Sequence, residues 1–160
     1  CDGPTLRVGA NRGASGIDGV VASAAGFANG LRQPVTLLIG DLALIHDLGS
    51  LALLGALDQP VIVVALNNGG GSIFTQLPIA QHDDVFSPFF DTPHSIHFEG
   101  TARDFGIAYH AIEDRDGLAQ HYREAVERGG ATLLEVRSSL EANRGHHRRI
   151  EAAVEDAVRG

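Results

Sequence analysis

Two polar breaks, each at the end of an apolar run, carry the residue types that could hold a metal ion and a diphosphate. Gly40-Asp41-Leu42 follows Val35-Thr36-Leu37-Leu38-Ile39, and Asn67-Asn68-Gly69-Gly70-Gly71-Ser72 follows Val61-Ile62-Val63-Val64-Ala65-Leu66. A hard cation such as Mg²⁺ takes oxygen ligands in an octahedron. The Asp41 carboxylate, the Asn68 amide oxygen and a main-chain carbonyl of the glycine run would supply three, leaving positions for phosphate oxygens and water. Each half alone is ordinary turn chemistry, Asp after Gly and Asn-Asn-Gly being good turn formers. Together, at the ends of two strand-like runs, they point to a site, because ligands of open α/β sheets bind at the carboxyl ends of strands.

Other chemistries lack their signals. There is no G-x-G-x-x-G after a strand, no G-x-x-x-x-G-K-[ST], no G-x-S-x-G and no H-E-x-x-H. His94 and His97 stand near each other among 8 histidines, but no cysteine or carboxylate spacing completes a zinc set, so they read as loop and surface residues. Asp and Glu number 20 against 12 basic residues, all of them arginine, for a net charge of −8. That balance argues against nucleic acid and anionic membranes as partners. It also leaves no lysine for a diphosphate, so metal bridging and main-chain N–H groups near Gly40 are the available means. No apolar run is long enough for a membrane span and no leader-like segment opens the chain, which reads as soluble and cytoplasmic. Cys1 is the only cysteine, so no intrachain disulfide forms, and a start at Cys1, in a chain without methionine, reads as a fragment or processed product of something longer.

The elements that must position Asp41 and Asn68 follow from hydrophobic periodicity. Leu6-Arg7-Val8 is a short strand candidate before the turn at 9–16. Ile17, Val20, Val21, Ala24, Ala25 and Ala28 mark one face of a helix from Ile17 to Asn29, capped by Ser15 or Asp18 and stopped at Asn29-Gly30. A strand at Val35–Ile39, a loop at 40–47, a helix at Leu48–Leu57 and a strand at Val61–Leu66 make a βαβ unit, which implies parallel pairing. Prolines and clustered phenylalanines after Phe74 suggest an ordered loop with apolar anchors. A helix near 98–105, a strand at 107–112, a helix at 116–128, a strand at 132–136 and a charged helical tail at 141–158 restore the alternation. The expectation is one α/β domain over 1–160, a three-layer, doubly wound and mainly parallel sheet.

The paired turns resemble the motif of thiamine diphosphate enzymes, a Gly-Asp and an Asn-Asn separated by a spacer of this length. More specifically, Gly40-Asp41-Leu42-Ala43-Leu44-Ile45-His46-Asp47-Leu48 and Asn67-Asn68-Gly69-Gly70-Gly71-Ser72-Ile73-Phe74 are similar to MenD-type enzymes, the 2-succinyl-5-enolpyruvyl-6-hydroxy-3-cyclohexene-1-carboxylate synthases. So are Asn11-Arg12-Gly13-Ala14-Ser15-Gly16-Ile17-Asp18-Gly19, Thr92-Pro93-His94 and Leu133-Leu134-Glu135-Val136. The resemblance covers nearly all 160 residues and corresponds to the C-terminal diphosphate-binding domain alone.

That resemblance implies thiamine diphosphate and Mg²⁺ (or Mn²⁺) as cofactors, with Asp41, Asn68 and the Gly70 carbonyl as metal ligands. Gly40, Leu42 and Ala43 would lie near the diphosphate, Ala43 without the hydroxyl of relatives that carry serine there. Gly16 and Ile17 fall where the bent cofactor would rest on an apolar wedge. Arg12 matches an arginine for a substrate carboxylate, suited to its bidentate fork. Ile73, Phe74 and Leu77 match an apolar lining on the substrate side. His46 and Asp47 suit capping and local hydrogen bonding, and His147 is given no chemistry. The implied reaction is decarboxylation of 2-oxoglutarate, with the cofactor as electron sink, and addition of the succinyl carbanion equivalent to isochorismate in menaquinone biosynthesis. The glutamate that activates the cofactor is expected in a missing N-terminal, pyrimidine-binding domain of a neighbouring subunit. No catalytic residue is therefore expected in this chain, which by itself would be inactive, and the working protein would be a homo-oligomer. Another thiamine diphosphate enzyme, acetolactate synthase-like or a 2-oxoacid decarboxylase, and a non-catalytic binding module are the alternatives.

Overall fold

Val61 to Ala65 is apolar without a break and at most 8% exposed, as a strand covered on both faces must be. Around it, the computed structural model describes residues 7–11 and 16–159. Helix α1 (Val20–Leu31) leads to β1 (Val35–Gly40), then α2 (Asp41–His46), a 3-10 turn at Leu48–Ser50, α3 (Leu51–Leu54) and β2 (Val61–Asn67). Short helical turns fill residues 72–91, among them α4 (Asp83–Phe86). Then come α5 (Glu99–Asp104), β3 (Ala108–Ile112), α6 (Arg115–Arg128), β4 (Ala131–Arg137) and α7 (Leu140–Arg159).

The four strands form one parallel sheet in the order β1-β2-β4-β3, with Val35 opposite Val61, Val61 opposite Ala131, and Ala108 opposite Thr132. From β1 the chain crosses to β2 in one direction, and from β3 to β4 in the other. Right-handed crossovers therefore place the intervening helices on opposite faces. One face carries Val21, Ala25, Ala28, Leu44, Leu51, Leu54, Phe98 and Ala102 over Val61, Val63, Ala65 and Leu133. The other packs Ala125 of α6 with Ile62, Val64, Ile112 and Leu134. The three-layer, doubly wound expectation holds. The direction of winding reverses between β2 and β4, so their carboxyl ends, with that of β1, border the crevice where such sheets hold ligands.

Several boundaries differ from the expectation. Helix α1 starts at Val20, because Gly19 takes a left-handed conformation (φ 71°), and Ile17 lies in the bend before it. It runs through Asn29-Gly30 and stops at Arg32 (φ 51°), whose N–H bonds the Ala28 carbonyl at 2.9 Å. Arg7 and Val8 belong to no strand; Leu6, Ser15, Arg12 and Cys1 lie outside the described residues. The loop expected at 40–47 is largely the helix α2, and the single helix expected at 48–57 is instead a 3-10 turn and the short α3. Asp41 starts α2 directly after the strand because its Oδ1 accepts the Leu42 N–H (2.7 Å), one of the donors a helix start leaves unpaired. Asp47 ends it because its carboxylate turns away to another helix. No helix among the described residues is long and apolar enough to cross a membrane.

Candidate functional site

Asp41 is 4% exposed at the end of β1, and its two oxygens have different neighbours. Oδ1 accepts the Leu42 N–H. Oδ2 accepts the N–H groups of Asn68 (3.1 Å), Gly69 (2.8 Å) and Gly70 (3.1 Å), so three consecutive amides of the turn after β2 converge on it. The parallel register makes this possible: Gly40 pairs with Leu66, so the two breaks emerge side by side. Within the turn, Gly69 N–H reaches Asn67 Oδ1 (3.2 Å) and Gly70 N–H reaches Asn68 Oδ1 (3.3 Å).

The glycines are needed for close backbone approach. Gly71 N–H donates to the Asp91 carbonyl (2.7 Å) and His94 N–H to the Gly69 carbonyl (3.1 Å), stitching the turn to residues 91–94. Gly70 has φ 152°, and a Cβ there would collide with the Asp91 carbonyl; a Cβ at Gly71 would come within 2.6 Å of the Phe90 carbonyl. His94 belongs to the same crossing. Its Nδ1 accepts the Ile96 N–H (3.2 Å), so the neutral ring carries its proton on Nε2. That Nε2 is buried 3.2 Å from Asp41 Oδ2 without the alignment of a hydrogen bond.

Three further groups hold these parts. Asp47, buried, accepts the Val21 (2.6 Å) and Ala22 (3.3 Å) N–H groups and the Ser50 hydroxyl. It caps α1 from across the chain; α1 has no side-chain cap at Gly19 itself. Glu135 is fully buried in β4. Burial alone would raise its carboxyl pKa, but bonds from Arg137, Tyr109, Asn67 and the Phe98 N–H outweigh it and hold the pKa below the usual value. Tyr109 is the counterpart: burial, then the bond to and charge of Glu135, push its hydroxyl up to about 12. His94, expected as a loop and surface residue, has its side chain only 11% exposed, and nothing in the sequence gives Glu135 a task. The signal for Glu135 was a carboxylate inside the run Thr132–Val136, which needs donors to be buried.

The other expected site residues are spread along the same edge. Gly40 ends β1 with open space before it, and Leu42 and Ala43 are half-buried in α2. Gly16 and Ile17 precede α1, Ile17 being 44% exposed. Ile73 (72%), Phe74 (39%) and Leu77 (46%) form an exposed apolar ridge after the glycine turn. The ridge is anchored by Phe74 against Phe90 edge-on and Phe90 stacked on the buried Phe86, both at 6.0 Å. A cavity of about 400 Å³ lies between the segment 75–91 and α7, lined by residues including Asp83, Phe86, Asp91 and His147; none of Ile73, Phe74, Leu77, Asp41 or Asn68 borders it. His46 is exposed at the end of α2.

A metal held at this edge would have to be a hard cation, since the groups on offer are oxygens. Among the described residues no group of three or more His, Cys, Asp or Glu could hold a metal. A cation would rely on one carboxylate supplemented by neutral oxygens. Asp41 Oδ2 is filled by amide donors, whereas Oδ1 accepts one N–H and keeps acceptor capacity. The Asn68 side chain and the Gly70 carbonyl belong to the turn that Asp41 grips, which is the oxygen chemistry Mg²⁺ selects.

The family described as thiamine pyrophosphate enzyme, C-terminal TPP binding domain, matches residues 9–136. A 2-succinyl-5-enolpyruvyl-6-hydroxy-3-cyclohexene-1-carboxylate synthase of Rubrobacter xylanophilus is 51% identical over 149 residues, 93% of this chain and 26% of the relative. The protein of the same name from Salinibacter ruber is 53% identical, over 93% of this chain and 25% of its own. This chain thus spans about a quarter of their length. Among solved structures, benzoylformate decarboxylase of Polynucleobacter necessarius superposes with a TM-score of 0.65 at 22% identity, over 75% of this chain and 23% of that one. A thiamine diphosphate-dependent 4-hydroxybenzoylformate decarboxylase of Rhodococcus jostii gives 0.63 at 25% identity, over 75% and 23%.

Proposed function

The chain belongs to the thiamine pyrophosphate enzymes as their C-terminal cofactor-binding domain, and from that premise we propose that it serves in a 2-succinyl-5-enolpyruvyl-6-hydroxy-3-cyclohexene-1-carboxylate synthase. The proposed reaction decarboxylates 2-oxoglutarate and adds the succinyl carbanion equivalent to isochorismate, in menaquinone biosynthesis. The observation that carries the reading is the meeting of Asp41 with the 68–70 turn at the carboxyl ends of β1 and β2.

In this reading Asp41 Oδ1, the Asn68 amide oxygen and the Gly70 carbonyl hold Mg²⁺ (or Mn²⁺), and Gly40, Leu42 and Ala43 flank the diphosphate. When bound, thiamine diphosphate supplies the electron sink for decarboxylation of a 2-oxoacid. Gly16 and Ile17 border the cofactor's middle. Arg12 pairs with a substrate carboxylate, and Ile73, Phe74 and Leu77 exclude water on the substrate side. The chain is one domain of a longer, cytoplasmic protein. The carboxylate that activates the cofactor comes from the pyrimidine-binding domain of a neighbouring subunit in a homo-oligomer. Leu38 and Leu66, exposed at 66% and 45% beside the α6 layer, support a further domain covering that face. The chain alone then binds cofactor weakly or not at all and does not turn over.

Calorimetric titration of the multidomain protein with thiamine diphosphate, with and without Mg²⁺ and with Asp41→Ala, tests this. Binding should weaken at least about tenfold without metal or without the carboxylate. Binding indifferent to both defeats the metal-diphosphate reading, and CO₂ release from 2-oxoglutarate by the 160 residues alone defeats the claim of inactivity.

A further inference from the structure

A carboxylate buried in a strand is costly unless its oxygens are filled, and those of Glu135 are. Oε1 accepts from Asn67 Nδ2 at 2.6 Å. Oε2 accepts from the Tyr109 hydroxyl (2.6 Å), Arg137 Nη2 (3.2 Å) and the Phe98 N–H (3.3 Å). The donors come from β2, β3, β4 and the residue before α5. Only Asn67 belongs to the turn that carries Asn68 and Gly70. Asn67, 6% exposed, also donates from Nδ2 to the Ile96 carbonyl (2.9 Å), while its Oδ1 accepts the Gly69 N–H. Both ends of its amide are engaged, so the side chain is held in one orientation.

We infer that Glu135 is a positioning residue which, by gripping Asn67, fixes the 67–70 turn in the orientation that presents Asn68 and Gly70 beside Asp41. The inference rests on the metal-diphosphate reading for its purpose, while its geometry is independent of it. The contacts run from Glu135 Oε1 to Asn67 Nδ2, from Asn67 Oδ1 to Gly69 N–H, and from Gly69 N–H to Asp41 Oδ2. Oε2 has a separate task, tying β3 and the start of α5 to β4. The two oxygens can therefore be tested separately.

The test compares Glu135→Gln, Asn67→Ala and Tyr109→Phe in the multidomain protein, with thermal unfolding as the check on folding. In Glu135→Gln the three donors at Oε2 attract the glutamine oxygen, which leaves its NH₂ facing Asn67 Nδ2, donor against donor. Tyr109→Phe removes one donor at Oε2 and leaves the Asn67 bond intact, so it reports strand tying alone. Two quantities are read: hydrogen exchange at the Gly69 and Gly70 amides, and calorimetric affinity for Mg²⁺ with thiamine diphosphate. Glu135→Gln and Asn67→Ala should each speed exchange about tenfold and weaken binding about tenfold, while Tyr109→Phe stays within about twofold. Unchanged exchange in Glu135→Gln, or an equal effect from Tyr109→Phe, overturns the inference. If Glu135→Gln does not fold, Asn67→Ala decides, and wild-type exchange there overturns it. Should the unaltered protein bind no thiamine diphosphate, the metal-diphosphate reading fails by itself and the exchange rates still decide the role of Glu135.

Discussion

Gly70→Ala is the substitution whose cost the backbone geometry predicts most directly. The residue has φ 152°, where a side chain is strained whatever the space around it, and its Cβ would strike the Asp91 carbonyl and lie 3.3 Å from that of Thr92. These are main-chain atoms, so no rotamer change relieves the contact. The turn must lift off residues 91–94, losing the Gly71 to Asp91 and His94 to Gly69 bonds. Two such bonds contribute about 0.5–1.5 kcal/mol each, and the backbone strain adds about 1–3 kcal/mol. The expected loss is about 2–6 kcal/mol, or a fall in Tm of about 4–24 °C at about 2–4 °C per kcal/mol. Circular dichroism on heating measures it, and the same substitution in the multidomain protein should weaken binding of thiamine diphosphate because the turn carries the proposed ligands. Gly26→Ala is the control with the opposite sign. Gly26 lies exposed inside α1 with nothing within 4 Å of a Cβ, so alanine should stabilise by about 0.5–1 kcal/mol. A Gly70→Ala protein that melts and binds like the parent would refute the account of the turn.

Asp47→Ala removes the cap of α1 and leaves buried N–H groups at Val21 and Ala22 unpaired. A loss of about 2–3 kcal/mol is expected in chemical denaturation, and an unchanged midpoint would count against a capping role. Phe86→Ala, at a ring 2% exposed and stacked on Phe90, should cost about 3–5 kcal/mol; a cost under about 1 kcal/mol would mean that the ridge after the glycine turn is not anchored there. Tyr109 should ionise at about 12, above the ordinary 10. Because the folded-state value is raised, the stability it contributes is complete below pH 10 and is lost as pH climbs towards 12. Ultraviolet titration of wild type against Tyr109→Phe shows this, and a Tyr109 midpoint near 10 would contradict it.

The four strands of the sheet were legible to within a residue or two, because period and apolar run length are local properties and buried parallel strands must be apolar throughout, whereas the candidate at 6–8 forms no strand at Arg7 or Val8. The helix edges were less so. Asn29-Gly30 looks like a stop, yet α1 passes through it and ends two residues later, where Arg32 supplies the left-handed turn. The break between α2 and α3 was hidden because its cause is distant: Asp47 is drawn to N–H groups 25 and 26 positions away. Likewise, residues 75–97 read only as a loop with apolar anchors, and which phenylalanine is buried depends on how that loop folds back.

The sequence by itself determined the class of sheet, the two polar turns and the residue types they offer, since each follows from neighbours along the chain. Only the tertiary structure decided that three amides fill Oδ2 of Asp41, with His94 against that same oxygen, and leave Oδ1 with acceptor capacity, and that Glu135 reaches Asn67 across 68 positions. A hydrogen bond is set by distances of about 3 Å in space, and no local pattern records which distant donor will meet a buried carboxylate.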